Sequence, residues 1–236
     1  MPELPEILTI RGDLEKEILG KKIANIKKAP AFQLKPNTES FKNFVIGHTF
    51  EEISNVAKLL LLKLSSGHYI ATHLNMSGVL LYNTKDQHIK LTLELDTGDE
   101  LHYSETRMFG YFEVWDEEKV KNYRLKQGKT PLDKSLTTEE FIEKIKTRKS
   151  PIKTVLLNQG IISGIGNIYA NDALFMSKIN PKIKANEISS EKVGELFKNI
   201  KAILKEGIEH RGSTIDRYRD IYGKAGKQQN FFRIYG

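Results

Sequence analysis

The hydrophobic pattern changes its period once along the chain, and that change decides what the chain can fold into. Between residue 21 and about residue 115 the apolar residues fall into short β-rich runs: Leu59–Leu64, His68–His73, Val79–Tyr82, Ile89–Leu95 and Tyr111–Trp115. Ser65-Ser66-Gly67 and Asp96-Thr97-Gly98-Asp99 separate them as tight turns. Short strands joined by tight turns predict an antiparallel sandwich. From residue 137 onward the spacing is helical. Thr137 or Thr138 caps a helix carrying Phe141, Ile142 and Ile145. A second helix runs over about 152–159 and stops at Gly160, and a third begins near Asn167. Ser189 or Ser190 caps a long helix with Val193, Leu196, Phe197, Ile200, Ile203, Leu204 and Ile208 on one face. One more helix, 5–19, precedes the strands, with Ile7, Ile10, Leu14 and Ile18 in register and Gly20 as its stop.

The expected fold class is therefore α+β: an N-terminal antiparallel β-sandwich with a flanking helix over 1–125, and a helical domain over 137–236. The stretch 121–136 is basic and holds Gly128 and Pro131, and the linker is set within it at 126–136. Residues 211–230 are polar, basic and glycine-containing, and read as a mobile loop.

Charge is distributed unevenly. The net charge is +7, but residues 151–236 carry 14 basic and 8 acidic side chains while residues 1–150 carry 23 and 22. The C-terminal part holds nearly all the excess, as expected of a domain that grips a phosphate backbone. Cysteine is absent, which excludes disulfides, thiol nucleophiles and thiolate metal sites within this chain and is compatible with a reducing cytosol. There is no apolar run near 18 residues and no signal-peptide pattern at the N-terminus.

The chemistry is concentrated at the start: Met1-Pro2-Glu3-Leu4-Pro5-Glu6. Proline at position 2 is small, so removal of the initiator methionine is expected, leaving a free secondary amine with a pKa near ~8. Such an amine attacks carbonyl and sugar carbons to form a Schiff base, and Glu3 and Glu6 beside it are placed to move protons. A helix start explains Pro5 and Glu6 equally well.

Three further segments carry double readings. Gly164, Gly166 and Asn167 lie between two helices, where a phosphate would meet free backbone N–H groups; a tight helix–helix turn accounts for the same glycines. No strand precedes them, so a dinucleotide fingerprint is not supported. Met76 and Arg107-Met108-Phe109-Gly110 follow strand-like segments; their apolar residues either fill the core or form an exposed wedge for a duplex. Lys58, at the head of the apolar run Leu59–Leu62, either snorkels or directs a cation at a phosphate.

As an ordered set these segments resemble the formamidopyrimidine-DNA glycosylases (Fpg, also called MutM) of the Fpg/Nei superfamily. The matching residues are Pro2-Glu3-Leu4-Pro5-Glu6, Ala57-Lys58-Leu59, His73-Leu74-Asn75-Met76-Ser77-Gly78, Arg107 with Phe109-Gly110, Ile152-Lys153, and Gly164 to Ala170. The resemblance covers nearly the whole chain, and the leucine at position 4 favours Fpg over the Nei branch. It implies a bifunctional DNA glycosylase and AP lyase that flips an oxidised purine out of duplex DNA during base excision repair. The rivals are an endonuclease VIII-like enzyme for oxidised pyrimidines and a lesion-binding protein with weak catalysis.

By the same resemblance, Pro2 is the Schiff-base nucleophile at C1′, Glu3 protonates the sugar ring oxygen, Glu6 lies in the lesion pocket, and Lys58 supports elimination. Met76, Arg107 and Phe109 fill the gap left by the extruded nucleotide. Lys153 and Asn167 bind flanking phosphates, Arg148 is a further candidate, and Tyr235 is an additional DNA contact. The helical part becomes a helix–two-turn–helix domain, and residues 213–229, with Ser213, Thr214, Arg217 and Tyr218, become a lesion-capping loop. The implied partner is double-stranded DNA with an oxidised base or abasic site, met by a monomer in a bacterial cytoplasm.

Four departures stand out. Met108 occupies the place of a second arginine, Asp172 the place of a glutamate, and Asp86-Gln87-His88 the place of a histidine-rich strand start. The family's four-cysteine zinc finger has no counterpart up to Gly236, so no cofactor is expected in this chain; zinc is expected only of a longer protein that continues into such a finger.

Overall fold

The computed structural model describes residues 1–235. Helix α1 (Leu4–Ile18) opens the chain. Strands β1 (Ile23–Lys28) and β2 (Leu34–Lys35) follow, then α2 (Thr38–Val45). Seven more strands come next: β3 (Phe50–Val56), β4 (Leu59–Leu64), β5 (Tyr69–His73), β6 (Val79–Tyr82), β7 (Ile89–Leu95), β8 (Glu100–Ser104) and β9 (Tyr111–Trp115). They form two sheets, ordered β1-β7-β8-β6 and β2-β9-β5-β4-β3. All pairings are antiparallel except the two-residue β2–β9 pair, which is parallel. The expected sandwich is present with that one exception.

The unbroken leucine run of β4 has a physical reason. Leu60, Leu62 and Leu64 point into the core between the sheets. Leu59 and Leu61 point the other way, against Tyr69, Trp115 and Val120. Val120 belongs to α3 (Glu117–Leu125), a helix that covers the outer face of the five-stranded sheet. A strand buried on both faces loses the alternation of a half-exposed one. The linker therefore begins after Leu125, and residues 121–125 are the end of this helix.

The helical part contains α4 (Thr138–Lys146), α5 (Ile152–Leu157), α6 (Asn167–Met176) and α7 (Ser190–Glu209). Side chains of Thr137 and Ser189 cap α4 and α7 by accepting from the N–H groups of Glu140 and Lys192. Phe141 and Phe197 stack with ring centroids 4.4 Å apart at the centre of this core. Helix α1 joins the two halves. Ile7, Ile10, Leu14 and Ile18 belong to the sandwich core, whereas Leu4 is buried in the helical one.

The loop after α7 differs from the expectation of mobility. Tyr218 and Ile221 are buried in the sandwich core. The N–H of Tyr82 donates to the carbonyl of Ile221 at 2.7 Å, so the loop covers the edge of β6. Arg211 pairs with two buried carboxylates, Asp13 and Asp220, and the Tyr222 hydroxyl donates to Glu17 at 2.8 Å. Composition marked this segment as polar; it did not reveal that its few apolar residues have a seat in the other half.

Candidate active site

The first turn of α1 meets the N-terminus of α6. Glu3 is the N-cap of α1, and its backbone N–H donates to Oε2 of Glu6 at 2.8 Å. The Glu3 carboxylate crosses to the other half of the molecule, where it accepts from the N–H groups of Gly166 at 2.7 Å and Ile168 at 2.9 Å. These are free donors at the positive end of a helix. A side chain at position 166 is excluded, because a Cβ there would lie 2.4 Å from Cδ of Glu3. The glycine that sequence alone assigned to a phosphate or a turn is the seat of a carboxylate.

Glu6 is equally enclosed. Its Oε1 accepts from the Tyr169 hydroxyl at 2.7 Å and from the N–H of Ser213 at 2.8 Å. Both carboxyls are removed from water, and burial raises both pKa values. Glu3 is pushed up to about 7, with Lys58 and the backbone donors opposing the shift. A carboxyl that titrates near neutrality is suited to give a proton and take it back. Lys58 is buried, with its ammonium donating to the carbonyl of Ile165 at 2.8 Å. Burial lowers its pKa against the pull of Glu3 and Glu6. His73 sits nearby and is pushed down to about 4 by burial and by Lys58, which leaves it neutral. Lys58 thus neither snorkels nor sits at the surface.

Pro2 is buried against this group. It lines a cavity of about 390 Å³; a second, of about 400 Å³, has Met1 and Asn167 in common with the first. Pro2, Glu3, Glu6, Met76, Arg107, Ser213, Arg217, Tyr218 and Tyr235 line the first. Lys58 and His73 line the second. With Met1 attached, the Pro2 nitrogen is an amide; excision of Met1 turns it into an amine and removes one of the two residues shared by the cavity walls. A larger groove of about 570 Å³, between α1 and the linker, holds none of the candidate catalytic, DNA-binding or capping-loop residues.

Of the two readings of Met76 and Phe109, exposure prevails: they are 53% and 61% exposed. Nη1 of Arg107 rests 3.8 Å from the Met76 sulfur, so these two side chains form one surface, and the exposed Phe109 follows two residues after Arg107. What holds that surface was missed in the sequence. Glu105 is fully buried and accepts from the N–H groups of Phe109 and Gly110 and from the Tyr103 hydroxyl, all within 3.0 Å, with Ser77 at 3.4 Å. Gly110 is needed here, since a Cβ would fall 1.8 Å from the Tyr103 hydroxyl. The only sequence signal for Glu105 was an acidic residue just past a buried strand, two residues before Arg107.

The remaining candidates divide. Asn167 is exposed at the first turn of α6 and lines both cavities. Thr214 supports the loop, with its N–H donating to Gln229 and its hydroxyl to the carbonyl of Tyr218, each at 2.8 Å. Arg148 and Lys153 line neither cavity; Arg148 is exposed, and Lys153 lies in the first turn of α5. Asp172, one of the departures, accepts from the N–H groups of Arg233, Ile234 and Tyr235, and so fixes the segment that brings Tyr235 to the cavity. No cluster of three or more metal-ligating side chains exists among the described residues. No helix among them is long and apolar enough to cross a membrane.

Two family models match this chain: the formamidopyrimidine-DNA glycosylase N-terminal domain over residues 1–112 and the H2TH domain of the same enzymes over residues 127–219. Proteins named formamidopyrimidine-DNA glycosylase from Herpetosiphon aurantiacus and Carboxydothermus hydrogenoformans are 34% and 37% identical. Each aligns with all of this chain, which spans 89% and 88% of their lengths. Among solved structures, Lactococcus lactis Fpg in complex with abasic-site DNA superposes with a TM-score of 0.89 at 30% identity, covering 99% of this chain and 87% of that one. MutM from Thermus thermophilus gives 0.89 at 27% identity, covering 100% and 87%. With a buried Glu3–Glu6 pair behind Pro2, exposed side chains at Met76, Arg107 and Phe109, and relatives matched end to end over this sequence, the chain belongs to the formamidopyrimidine-DNA glycosylase family.

Proposed function

We propose that this protein is a DNA glycosylase acting on oxidised purines, with an associated AP lyase activity that runs through a Schiff base on Pro2. The observation that carries the reading is the position of Pro2 in the wall of the cavity that Glu3 and Glu6 also line, backed by a Glu3 carboxyl whose pKa is about 7.

After loss of Met1, the Pro2 amine attacks C1′ of the damaged nucleoside and the glycosidic bond breaks, the base leaving with the bonding pair and a proton. Glu3 gives its proton to the ring oxygen O4′ as the C1′–O4′ bond opens, and the product is an iminium between Pro2 and C1′. The iminium acidifies the C2′ hydrogen; its removal breaks the C3′–O3′ bond and releases the 3′ phosphate as the leaving group. Lys58 supplies positive charge beside Glu3 throughout. Met76, Arg107 and Phe109 occupy the space vacated in the duplex, and unstacking a damaged base has a smaller cost than unstacking an intact one. The relatives solved with abasic-site DNA and with Fapy-dG-containing DNA support duplex DNA as the partner.

The test is covalent trapping. The protein, with its N-terminus sequenced to establish loss of Met1, is incubated with an abasic-site duplex and sodium borohydride, then digested and mapped. An adduct on Pro2 is expected. An adduct on a lysine, with Pro2→Gly trapping as well as the wild type, overturns the assignment.

A further inference from the structure

The loop after α7 brings one arginine to the lesion-side cavity in an unusual state. Nη2 of Arg217 donates to Oδ2 of Asp86 at 3.4 Å and to the Ser104 hydroxyl at 3.2 Å. Asp86 is itself fixed, its Oδ1 accepting from the N–H of His88 at 2.7 Å and from the Ser104 hydroxyl at 2.6 Å. The other donors of the guanidinium are unused. Nε is buried with no partner, and Nη1 makes no hydrogen bond among the described residues. A guanidinium has five N–H donors, and a buried donor without an acceptor is costly. Held by one nitrogen only, the group is anchored on the sandwich side and unsatisfied on the others.

Arg217 lines the same cavity as Pro2, Glu3 and Glu6, and also a smaller one of about 230 Å³ beside Asp86. The first cavity has carboxyl acceptors in plenty. Its cationic side chains are Arg107 and Arg217, and Arg107 rests against Met76 within the exposed surface. A base extruded into that cavity therefore meets one fixed cationic donor on the capping loop. Oxidation of a purine creates a new carbonyl, at C8 of an 8-oxopurine or on the formamido group of a ring-opened one, and a carbonyl is the acceptor that such a donor lacks.

We propose that Arg217 is a specificity-determining residue that donates from its unsatisfied guanidinium face to a carbonyl oxygen of the extruded base, with Asp86 as the positioning residue that aims it. The proposal rests on the glycosylase reading above. It assigns a role to two positions at once: Asp86, one of the departures from the family pattern, and Arg217, whose pairing with Asp86 uses only one of its nitrogens.

The experiment compares base excision with abasic-site cleavage, because an abasic site has no carbonyl to read. Single-turnover rates are measured on an 8-oxoguanine duplex and on an abasic duplex for the wild type, Arg217→Ala, Arg217→Lys, Asp86→Asn and Asp86→Glu, with thermal melts to establish folding. The loss for Arg217→Ala on 8-oxoguanine should exceed its loss on the abasic duplex by about 10- to 100-fold, the factor for one hydrogen bond to a charged group. Arg217→Lys should fall between Arg217→Ala and wild type. Asp86→Asn should shift the same ratio in the same direction by a smaller factor, and Asp86→Glu should restore part of it. Equal losses on both duplexes for Arg217→Ala and Arg217→Lys, with wild-type excision intact, overturn this inference alone. A wild type that cuts abasic DNA but leaves 8-oxoguanine in place overturns the oxidised-purine reading and this inference with it.

Discussion

The N–H of Gly166 donates to Oε2 of Glu3 across 2.7 Å, joining two residues 163 positions apart in sequence. The proposed acid is thus carried by one half of the molecule and held by the other. Its proton affinity follows from that arrangement: burial raises it, while the α6 donors and Lys58 pull it back to about 7.

Gly166→Ala tests the seat directly. A Cβ 2.4 Å from Glu3 Cδ forces the carboxylate away. Overpacking of this kind costs about 1–3 kcal/mol. Base excision should fall at least ~10-fold, the factor that 1.4 kcal/mol of lost transition-state stabilisation produces, while undamaged duplex binding is retained. Single-turnover excision beside a fluorescence-anisotropy titration checks both.

Glu3→Gln keeps size and removes the proton. Base removal should be abolished with little change in duplex affinity, and a mutant that removes 8-oxoguanine at the wild-type rate refutes the role. Stability should respond too. The folded-state pKa of about 7 lies above the ordinary carboxyl value of 4.5. Between those values the folded state binds more protons than the unfolded state, so the wild type loses stability as pH rises from 4.5 to 7. The Glu3 part of that loss is on the order of 3 kcal/mol. Urea titrations across that window should show a flatter pH dependence for Glu3→Gln.

Glu105→Ala strips the acceptor from Phe109, Gly110 and Tyr103 together. Each buried donor left unpaired costs about 1–3 kcal/mol. Denaturant unfolding should show a loss of several kcal/mol by that principle, and hydrogen exchange at the Phe109 and Gly110 amides should accelerate. A variant with wild-type protection at both amides shows that the exposed surface is held by something else.

Lys153→Ala addresses the charge imbalance. If Lys153 neutralises one phosphate, affinity should fall by a similar factor for all duplexes, and the slope of log K against log salt should shrink by about one. A loss confined to lesion-containing DNA moves Lys153 from the backbone to the recognised base.

Several elements were legible because their side chains kept a clean period. The Ile7–Ile18 face of α1, the α7 stripe and the runs in β4 to β7 and β9 all lie within a residue or two of their expected places. Strands β1 and β3 were not recognisable individually. Both carry a register shift, between Ile23 and Asn25 and between Phe50 and Glu52, so their burial runs nearer to period three than to period two. Helix α3 buries only Val120 and has no stripe to detect. At the site, Pro2, Glu3, Glu6 and Lys58 were legible as a chemical set. Glu105 and the Arg211–Asp13–Asp220 triad were not, because a buried carboxylate is defined by the donors that surround it, and those come from distant parts of the chain.

Tyr218 and Ile221 impose an order on biosynthesis. A ribosome that has released residues 1–125 has delivered every strand of the sandwich, yet the core still lacks two of its side chains and β6 still has a bare edge at Tyr82. Nearly a hundred further residues must emerge before that gap is filled. The nascent N-terminal half should therefore wait with an open apolar notch beside an unpaired strand, the kind of surface on which chaperones act and aggregates begin. A segment translated long after the strands is what seals the sandwich they form.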